Sequence, residues 1–455
     1  MQGFKETEIG WIPENWDLVQ FGDTFRIIKS QSFSRNKLTL VKTNLEIQNI
    51  HYGDIHAKFV NSILDLEKDE VPYVIDKFVK SESNQFLKNG DIIITDVSED
   101  LVDVGKCVEL KNVGSKKVIG GLHTIVARDK LNRIQPGFGA YIFKNDGVLH
   151  ELRSIATGMS VYGISKGNLA KLKIPIPPKT EQTTIAHILS TIQKAIEKQQ
   201  QLIDRTTELK KALMHKLFTE GTKGEPQKET EIGLVPESWE VVEFSSIVEY
   251  SKKPRNIQIS PPYKFIPMAK VPLDDIYISE FEQRDYISSG TFVRSGDLLL
   301  AKITPSFENG KQGILKIDSQ YAYATTEIIP FQGIRQKVET MFLFYYLKMD
   351  NIRTFLADKM EGSTGRQRLA KQVLDSLLIS LPQISEQIEI YKTLNQLDYK
   401  IQQHLKKKTT LESLFKTMLH ELMTGKTRVK DVEFEKGYKI DEPIRMAAEP
   451  RYEYK

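Results

Sequence analysis

Residues 177–218, PPKTEQTTIAHILSTIQKAIEKQQQLIDRTTELKKALMHKLF, form the stretch on which the architecture of this chain depends. From Ile185 to Leu217 its apolar residues recur at steps of three and four, which places them along one face of an α-helix. The Pro-Pro pair at its start suits a first helical turn, and Gly221 suits a stop just past the end. The pattern predicts one long helix, and a helix over 181–218 would span roughly 57 Å.

The same pattern returns at residues 382–423, and its start, PQISEQ, matches the PPKTEQ that begins the first stretch. Thr180 and Ser385 are predicted N-caps, because their hydroxyls can accept from the free amides of a first turn. Two long amphipathic helices in one chain favour an antiparallel intramolecular coiled coil. Two separate core helices are the alternative, but helices in globular proteins average only about 11–12 residues.

The composition of the 455 residues is that of a globular protein, with 40% hydrophobic and 27% charged residues and a net charge of +4. This length predicts two to four domains. No apolar run is long enough to span a bilayer, and the first ten residues are too polar for a signal peptide. Cys107 is the only cysteine, which excludes a disulfide framework and a multi-cysteine zinc site. We therefore expect a cytoplasmic protein with no membrane association.

A second repeat lies ahead of each long helix. Residues 5–16, KETEIGWIPENW, return as KETEIGLVPESW at residues 228–239. The chain thus consists of two copies of one unit, each a globular segment followed by a long helix. Trp16 and Trp239 could bind a ligand, but a Trp that follows a turn and precedes an apolar run is more typical of a core anchor.

Each globular segment contains short, apolar, β-rich runs, such as GDIIIT at 90–95 and GDLLLA at 296–301. Residues 342–350 and, more weakly, 144–154 have helical patterns. The predicted fold class is therefore α+β, with two tandem mixed α/β domains, two long helices in an antiparallel coiled coil and a pseudo-two-fold internal repeat. The predicted boundaries are 1–176 and 223–381 for the domains, 177–222 and 382–425 for the helices, and 426–455 for a tail, extended or disordered from residue 432.

Each copy also carries a glycine-rich polar loop, TGMSVYGIS at 157–165 and GSTGRQR at 362–368. Backbone amides, hydroxyls and guanidinium groups are what contacts to phosphates and base edges require. An ordinary surface loop is the alternative. From the second loop, the candidate contacts are Ser363, Thr364, Arg366 and Arg368.

The duplicated halves, the Gly-Asp strands, the glycine-rich loops and the helices that begin Pro-x-x-x-Glu-Gln together resemble the DNA-specificity subunit of type I restriction-modification systems. The resemblance covers nearly the whole chain except the tail. It implies that each domain is a target recognition domain that reads half of a bipartite, asymmetric site in double-stranded DNA. It also implies that the coiled coil sets the spacer and docks two adenine methyltransferase subunits, with motor-endonuclease subunits joining them.

The resemblance further implies which residues approach DNA. The stretch AKITPSFENGK at 301–311, followed by TTE at 325–327, is similar to a pattern of these recognition domains, and indicates Lys302, Thr304, Asn309, Lys311 and Thr326. The matching stretch of the first copy, TDVSED at 95–100, is acidic, so we expect the halves to read different bases. The first copy's candidates are Lys116, Lys117, His123 and Ser160. Approach through the major groove is a hypothesis.

Other readings stay open. Ser260-Pro261-Pro262-Tyr263 resembles the motif of amino-methyltransferases, but no companion S-adenosylmethionine motif accompanies it. The histidines show no metal-ligand spacing, and no Walker-type loop or nuclease motif is present. We therefore expect no catalysis, no metal and no cofactor in this chain, with S-adenosylmethionine, ATP and Mg²⁺ on partner subunits. A protein scaffold is the third reading.

Overall fold

A computed structural model describes residues 3–59, 61–79, 86–255, 260–363 and 365–429. By packing, the chain divides into two units. The first unit comprises residues 1–200 and 406–455, and the second unit comprises residues 201–405. Each long helix therefore contributes one part to each unit. The segment boundaries given above remain a prediction.

The first unit begins with a hairpin and continues as a mixed α/β domain. Its strands β1 to β15 are Phe4–Thr7, Gly10–Pro13, Asp17–Gln20, Phe25–Ile28, Leu38–Thr39, Ile47–Ile50, Ile63–Asp65, Tyr73–Val74, Ile92–Thr95, Val97–Ser98, Cys107–Lys111, Lys117–Gly120, Thr124–Asp129, Tyr162–Gly163 and Lys173–Ile176. Its helices α1 to α6 are Phe21–Thr24, Tyr52–Ala57, Gly139–Ile142, Asp146–Ser154, Lys166–Lys171 and Lys179–Glu220, the last of which continues into the second unit.

Two sheets form the centre of the first unit. A five-stranded sheet has the order β4-β13-β9-β11-β7, and a four-stranded sheet has the order β12-β6-β8-β5. Strand β9, the predicted Ile92–Thr95, is buried along its whole length and pairs antiparallel with β11 and β13. The apolar run predicted from the sequence is thus a central strand.

The second unit repeats this arrangement. Its strands β16 to β30 are Gln227–Thr230, Gly233–Pro236, Glu240–Glu243, Val248–Tyr250, Tyr263–Ile266, Tyr277–Ile278, Glu282–Arg284, Thr291–Arg294, Leu298–Ala301, Gln312–Leu315, Tyr321–Ala324, Ile328–Gly333, Glu361–Ser363, Arg366–Arg368 and Leu378–Leu381. Its helices α7 to α10 are Thr340–Tyr346, Asp350–Ala357, Lys371–Asp375 and Ile384–Met423, and α10 continues into the first unit. The sheets have the orders β19-β27-β24-β25-β21 and β22-β20-β26-β23.

Both predicted long helices are confirmed, as α6 and α10, although their starts differ from the prediction. Helix α6 starts at Lys179 and α10 at Ile384, so Thr180 and Ser385 lie inside the first turns and are not N-caps. Thr180 is thus two positions past the N-cap, because an N-cap directly precedes the first helical residue. The predicted helix at 342–350 is two helices, because α7 ends at Tyr346 and α8 begins at Asp350.

The repeated Glu-Gln pair at the start of α6 and α10 has the same role in both units. The side-chain amide of Gln182 donates to the carbonyls of Arg133 and Pro177, and its Oε1 accepts from the amide of Gln135. In the second unit, the side-chain amide of Gln387 donates to the carbonyls of Lys337 and Pro382, and its Oε1 accepts from the backbone amide of Glu339. A buried glutamine with its hydrogen bonds made ties the start of the helix to a loop of its domain.

The neighbouring glutamates are also buried. Glu181 accepts from Trp16 Nε1 at 2.9 Å and from the Arg428 guanidinium at 2.8 Å. Both tryptophans of the repeat are fully buried, so the prediction of core anchors is confirmed. Of the predicted tail, the described residues reach Val429, whose side chain is buried in the first unit's core. The residues predicted to be extended or disordered, from 432 onward, lie outside the described part.

Candidate nucleic-acid interface

In the second unit, the predicted recognition loop and the glycine-rich hairpin are joined by backbone contacts. The amide of Thr304 donates to the carbonyl of Gln367 at 3.0 Å, and the amide of Gln367 donates to Thr304 Oγ1 at 3.0 Å. A β-bridge between Ile303 and Arg368 adjoins this pair. Loop 301–311 and hairpin β28–β29 therefore form one surface, which we call the second-unit surface.

An ion pair adds the turn after β26 to this surface. Arg368 donates from Nε to Glu327 Oε2 at 2.9 Å and from Nη2 to Glu327 Oε1 at 2.7 Å. The hydrogen bond from Arg368 holds the pKa of the Glu327 carboxyl below its usual value. Lys302 donates its backbone amide to the carbonyl of Glu327. A bidentate pair fixes the guanidinium, so Arg368 positions the hairpin while Arg366 is exposed on the same strand.

The candidate DNA contacts of the second unit differ in how exposed their side chains are to solvent. Asn309, Thr326 and Ser363 are exposed, whereas Lys302 is half-buried. Lys311 directs its ammonium at the carbonyl of Met268, 2.9 Å away, and so holds the loop to its own domain. Thr364 lies outside the described residues.

In the first unit, Asp96 contacts both His123 and the glycine-rich loop 157–165, which carries Ser160. His123 Nδ1 lies 3.1 Å from Asp96 Oδ1, and the amide of Ile164 donates to the Asp96 carbonyl at 2.8 Å. Ser160 is exposed at the tip of the loop that ends there, and β10 pairs with β14 beside it. His123 and the glycine-rich loop therefore share one surface, which we call the first-unit surface.

Lys116 and Lys117 lie elsewhere. Strand β12 begins at Lys117 and ends at Gly120, so both lysines are at the opposite end of that strand from His123. The Lys116 ammonium donates to the carbonyl of Leu66. The structure therefore does not bring these two lysines to the first-unit surface.

Two ring-bearing side chains of this surface, Tyr52 and His56, were not predicted from the sequence. The ring of Tyr52 meets His123 edge-on with 5.2 Å between centroids, and His56 meets Tyr52 with 6.2 Å between centroids. His56 also lies 3.2 Å from the carbonyl of Val97, in β10. The sequence HYGDIH at 51–56 carries three rings, but no spacing rule connects it to His123.

The two surfaces differ in charge. The second-unit surface has four cations, Lys302, Lys311, Arg366 and Arg368, and three carboxylates, Glu308, Glu327 and Glu361. The first-unit surface has Asp96, and Asp103 lies 4.0 Å from His56. Among the described residues, no group of three or more His, Cys, Asp or Glu side chains could hold a metal ion. The helices in the described part include none long and apolar enough to cross a membrane.

Two copies of one mixed α/β fold, with unlike polar surfaces at corresponding loops, define a duplicated binding protein. This chain belongs to the family of the type I restriction modification DNA specificity domain, whose model matches residues 13–205 and 236–413. Its role is that of a specificity subunit of a type I restriction-modification system. The resemblance given by the sequence is thereby confirmed.

Similar proteins span the chain nearly end to end. The putative type I restriction enzyme MjaX specificity subunit of Methanocaldococcus jannaschii is 26% identical over 94% of this chain and 97% of its own length. The MjaVIII specificity subunit of the same organism is 27% identical over 95% and 98%. A solved type I S subunit from M. genitalium shares the fold with a TM-score of 0.53 at 15% identity, covering 90% of this chain and 96% of that one.

Proposed function

We propose that this specificity subunit reads a bipartite, asymmetric DNA site, with one half-site for each unit. The observation that carries the proposal is the pair of unlike surfaces on a repeated fold. Bases are distinguished by hydrogen-bond donors and acceptors along the groove edges. A surface with Lys302 and Arg366 and one with His123, Tyr52 and Asp96 present different donor and acceptor sets, so the half-sites should differ in sequence.

We propose further that α6 and α10 pair as an antiparallel coiled coil. In the first unit, Ile185 and Leu189 near the start of α6 share a core with Leu422 and Met423 at the end of α10. In the second unit, Leu217 and Phe218 near the end of α6 share a core with Ile390 and Leu394 near the start of α10. Opposite ends of the two helices thus share each core, which supports antiparallel pairing and a pseudo-two-fold relation of the halves.

Polar contacts in each unit support the same pairing. The Lys210 ammonium lies 2.5 Å from Asp398 Oδ1, and the hydroxyl of Tyr345 donates to Asp398 Oδ2 at 2.7 Å. In the first unit, Lys408 donates to Gln200 Oε1 at 2.7 Å. We propose that the paired helices set the spacer between the half-sites.

Partner subunits complete the activity in this proposal. Exposed apolar side chains on the long helices, Leu209 and Tyr399 among them, are suited to burial against another protein. This chain resembles a solved structure described for complex assembly of the type I R-M system, with a TM-score of 0.52 and 15% identity. The match covers 91% of this chain and 99% of the other. We propose two adenine methyltransferase subunits and motor-endonuclease subunits as partners, with S-adenosylmethionine, ATP and Mg²⁺ bound there and no catalysis in this chain.

Single-molecule sequencing of adenine methylation tests the proposal. Cells carrying the partner methyltransferase are compared with and without this chain. A split, asymmetric methylated motif that requires the chain is the expected result. Methylation unchanged by removal of the chain would contradict the proposal and would favour a scaffold role.

The Ser-Pro-Pro-Tyr alternative has its own test. Family membership does not favour a methyltransferase, and the chain alone should not bind S-adenosylmethionine. Calorimetric titration of the purified chain measures this directly. Stoichiometric, micromolar binding would contradict the assignment of methyl transfer to a partner.

A further inference from the structure

The four-stranded sheet of the second unit carries aromatic side chains on one face. Phe265 on β20 pairs with Tyr323 on β26, and Phe292 on β23 pairs with the same Tyr323. Since side chains alternate along a strand, Tyr263 and Tyr321 lie on this face too. Ring centroids are 5.9 Å apart for Tyr263 and Tyr323 and 5.3 Å apart for Phe292 and Tyr321. We call these five residues the aromatic face.

The opposite face of the sheet supplies the apolar core. Ile266, Val293, Ala322 and Ala324 are buried there in one cluster. The aromatic face lies outside that cluster, and its three tyrosines are only half-buried. The sheet therefore has its core on one side and an aromatic surface on the other.

Cationic side chains surround the aromatic face. The guanidinium carbon of Arg284 lies 3.4 Å from the centroid of the Phe265 ring, and Lys253 Nζ lies 5.8 Å from the centroid of Tyr323. Arg284 is paired with Glu282 at 2.7 Å, which neutralises part of its charge. Lys253 belongs to an exposed basic run, Lys252-Lys253-Pro254-Arg255. Aromatic rings beside exposed cations suit a ligand with flat π-surfaces and negative charge.

The fold itself does not require aromatic residues at these positions. In the first unit, the parallel strands β6 and β12 correspond to β20 and β26 of the second unit. The same backbone hydrogen bond follows each pair: the amide of Gly121 donates to the carbonyl of Ile50, and the amide of Thr325 donates to the carbonyl of Ile266. Asn49 paired with Ile119 thus corresponds to Phe265 paired with Tyr323. In the first unit this face is covered, since Ile119 is buried with Ile47, Phe33 and Val74 in one apolar cluster. In the second unit the tyrosines of the corresponding face are only half-buried and so remain accessible to a ligand.

The aromatic face adjoins the second-unit surface. Strand β20 leads into Met268, whose carbonyl accepts from Lys311, and β26 leads into Thr325 and Thr326. Tyr263 is also the tyrosine of the Ser-Pro-Pro-Tyr motif, which the role of specificity subunit does not explain.

We propose that the aromatic face binds unpaired DNA, with bases stacked on Tyr263 and Tyr323 and phosphates beside the 252–255 run. A stacked base must expose its flat side, which a paired duplex hides, whereas base edges remain readable in the grooves. The face would therefore hold a strand opened next to the half-site that the second unit reads. This binding mode goes beyond the proposed reading of duplex DNA.

Fluorescence anisotropy tests the proposal with the full chain in complex with its methyltransferase partner and a fluorescein-labelled 20-nucleotide oligothymidylate. Tyr263→Leu with Tyr323→Leu keeps apolar bulk and removes the stacking rings. We expect the Kd to rise about tenfold or more, because stacking on aromatic rings accounts for a large part of single-strand affinity. Tyr277→Leu, at an exposed tyrosine of β21 outside the face, is the matched control and should leave the Kd unchanged. An unchanged Kd for the double variant would overturn the proposal.

The charge component has a separate readout. Lys253→Ala should reduce the slope of log affinity against log salt by about 0.7, the value for one phosphate contact to a single strand. A slope equal to that of the unaltered complex would remove Lys253 from the site.

Crosslinking needs no variant and so does not depend on folding. An oligonucleotide with 5-iododeoxyuridine is irradiated with the unaltered complex, and the adducts are mapped by mass spectrometry. Adducts on Tyr263 or Tyr323 are expected, and adducts confined to other residues would overturn the proposal. The methylated motif, sequenced in parallel, reports base reading by itself, so failure of the aromatic face is distinguishable from failure of the proposed function.

Discussion

At the scale of single residues, the buried carboxyl of Glu109 is a feature that the sequence did not predict. It lies in β11, and Oε2 accepts from the amide of Ala140 at 3.0 Å at the start of α3. Burial raises its pKa from 4.5 to about 7, although the amides of Gly137 and Ala140 oppose the shift. Desolvation of the charge therefore outweighs the backbone hydrogen bonds.

This shift predicts a pH-dependent stability of the first unit. The folded state holds the proton of Glu109 to higher pH than the unfolded state, so the stabilisation is complete below pH 4.5 and is lost as the pH rises to about 7. The loss amounts to about 3 kcal/mol of unfolding free energy, as an order of magnitude. Urea unfolding at pH 5 and pH 8, followed by tryptophan fluorescence, measures it.

Glu109→Gln should flatten this dependence between pH 5 and pH 8, because the amide does not titrate. Glu99→Gln, at an exposed position, is the control and should keep it. A Glu109→Gln protein that still loses the same stability on going to pH 8 would assign the effect to another group.

Arg366 and Arg368 lie on one short strand but differ in their contacts. Because Arg368 is held by Glu327 and Arg366 is exposed, Arg366 is the one available to a base or phosphate. Arg366→Ala should weaken binding of the complex to duplex target by about 1–3 kcal/mol if the guanidinium contacts a base edge. Arg335→Ala, an exposed arginine of the same unit outside the surface, is the control.

Anisotropy titrations on duplexes altered in either half-site give the readout. Arg366→Ala should relax discrimination in one half-site only. Equal losses of affinity for every duplex would show a phosphate contact, and no loss would remove Arg366 from the interface.

At the scale of elements, the recognition loop positions the hairpin β28–β29. Thr304 makes two hydrogen bonds to the backbone of Gln367, one through its amide and one through its hydroxyl. This one residue therefore joins two segments that are far apart in the chain. A hairpin of two short strands is marginal by itself and depends on such contacts. The conformation of the hairpin in the second-unit surface therefore depends on loop 301–311.

Thr304→Val should loosen the hairpin, because valine has the same shape but no acceptor for the Gln367 amide. We expect a cost of about 1 kcal/mol and faster hydrogen exchange of residues 361–368. Thr354→Val, at an exposed site on α8, is the matched control. Exchange in the hairpin that stays as slow as in the unaltered protein would show that other contacts hold it.

At the scale of the whole molecule, we propose that the pairing of α6 and α10 sets the distance between the two half-sites. If the pair is the spacer, lengthening both helices equally should lengthen the spacer in the DNA. Seven residues inserted after Gln200 and seven before Lys408, which contact each other, add about 10 Å and nearly two full turns. The apolar stripe then returns to its original face.

The methylated motif should gain about three base pairs of spacer, given roughly 3.4 Å per base pair. Five-residue insertions at the same places rotate the stripe by about 140° and should abolish assembly. Sequencing of adenine methylation reads both outcomes. An unchanged spacer with the seven-residue insertions would show that the helices do not set it.

The two long helices, the central strands and the duplication could be predicted from the sequence, because each depends on local periodicity or direct repetition. The sequence also placed Lys302, Thr304 and Arg366 on loops that do meet. The three-dimensional fold was needed to show that Lys116 lies away from His123, that Arg368 is paired with Glu327, and that Tyr52 joins the first-unit surface. Those placements follow from strand pairing between distant segments, for which neighbouring residues carry no periodic pattern.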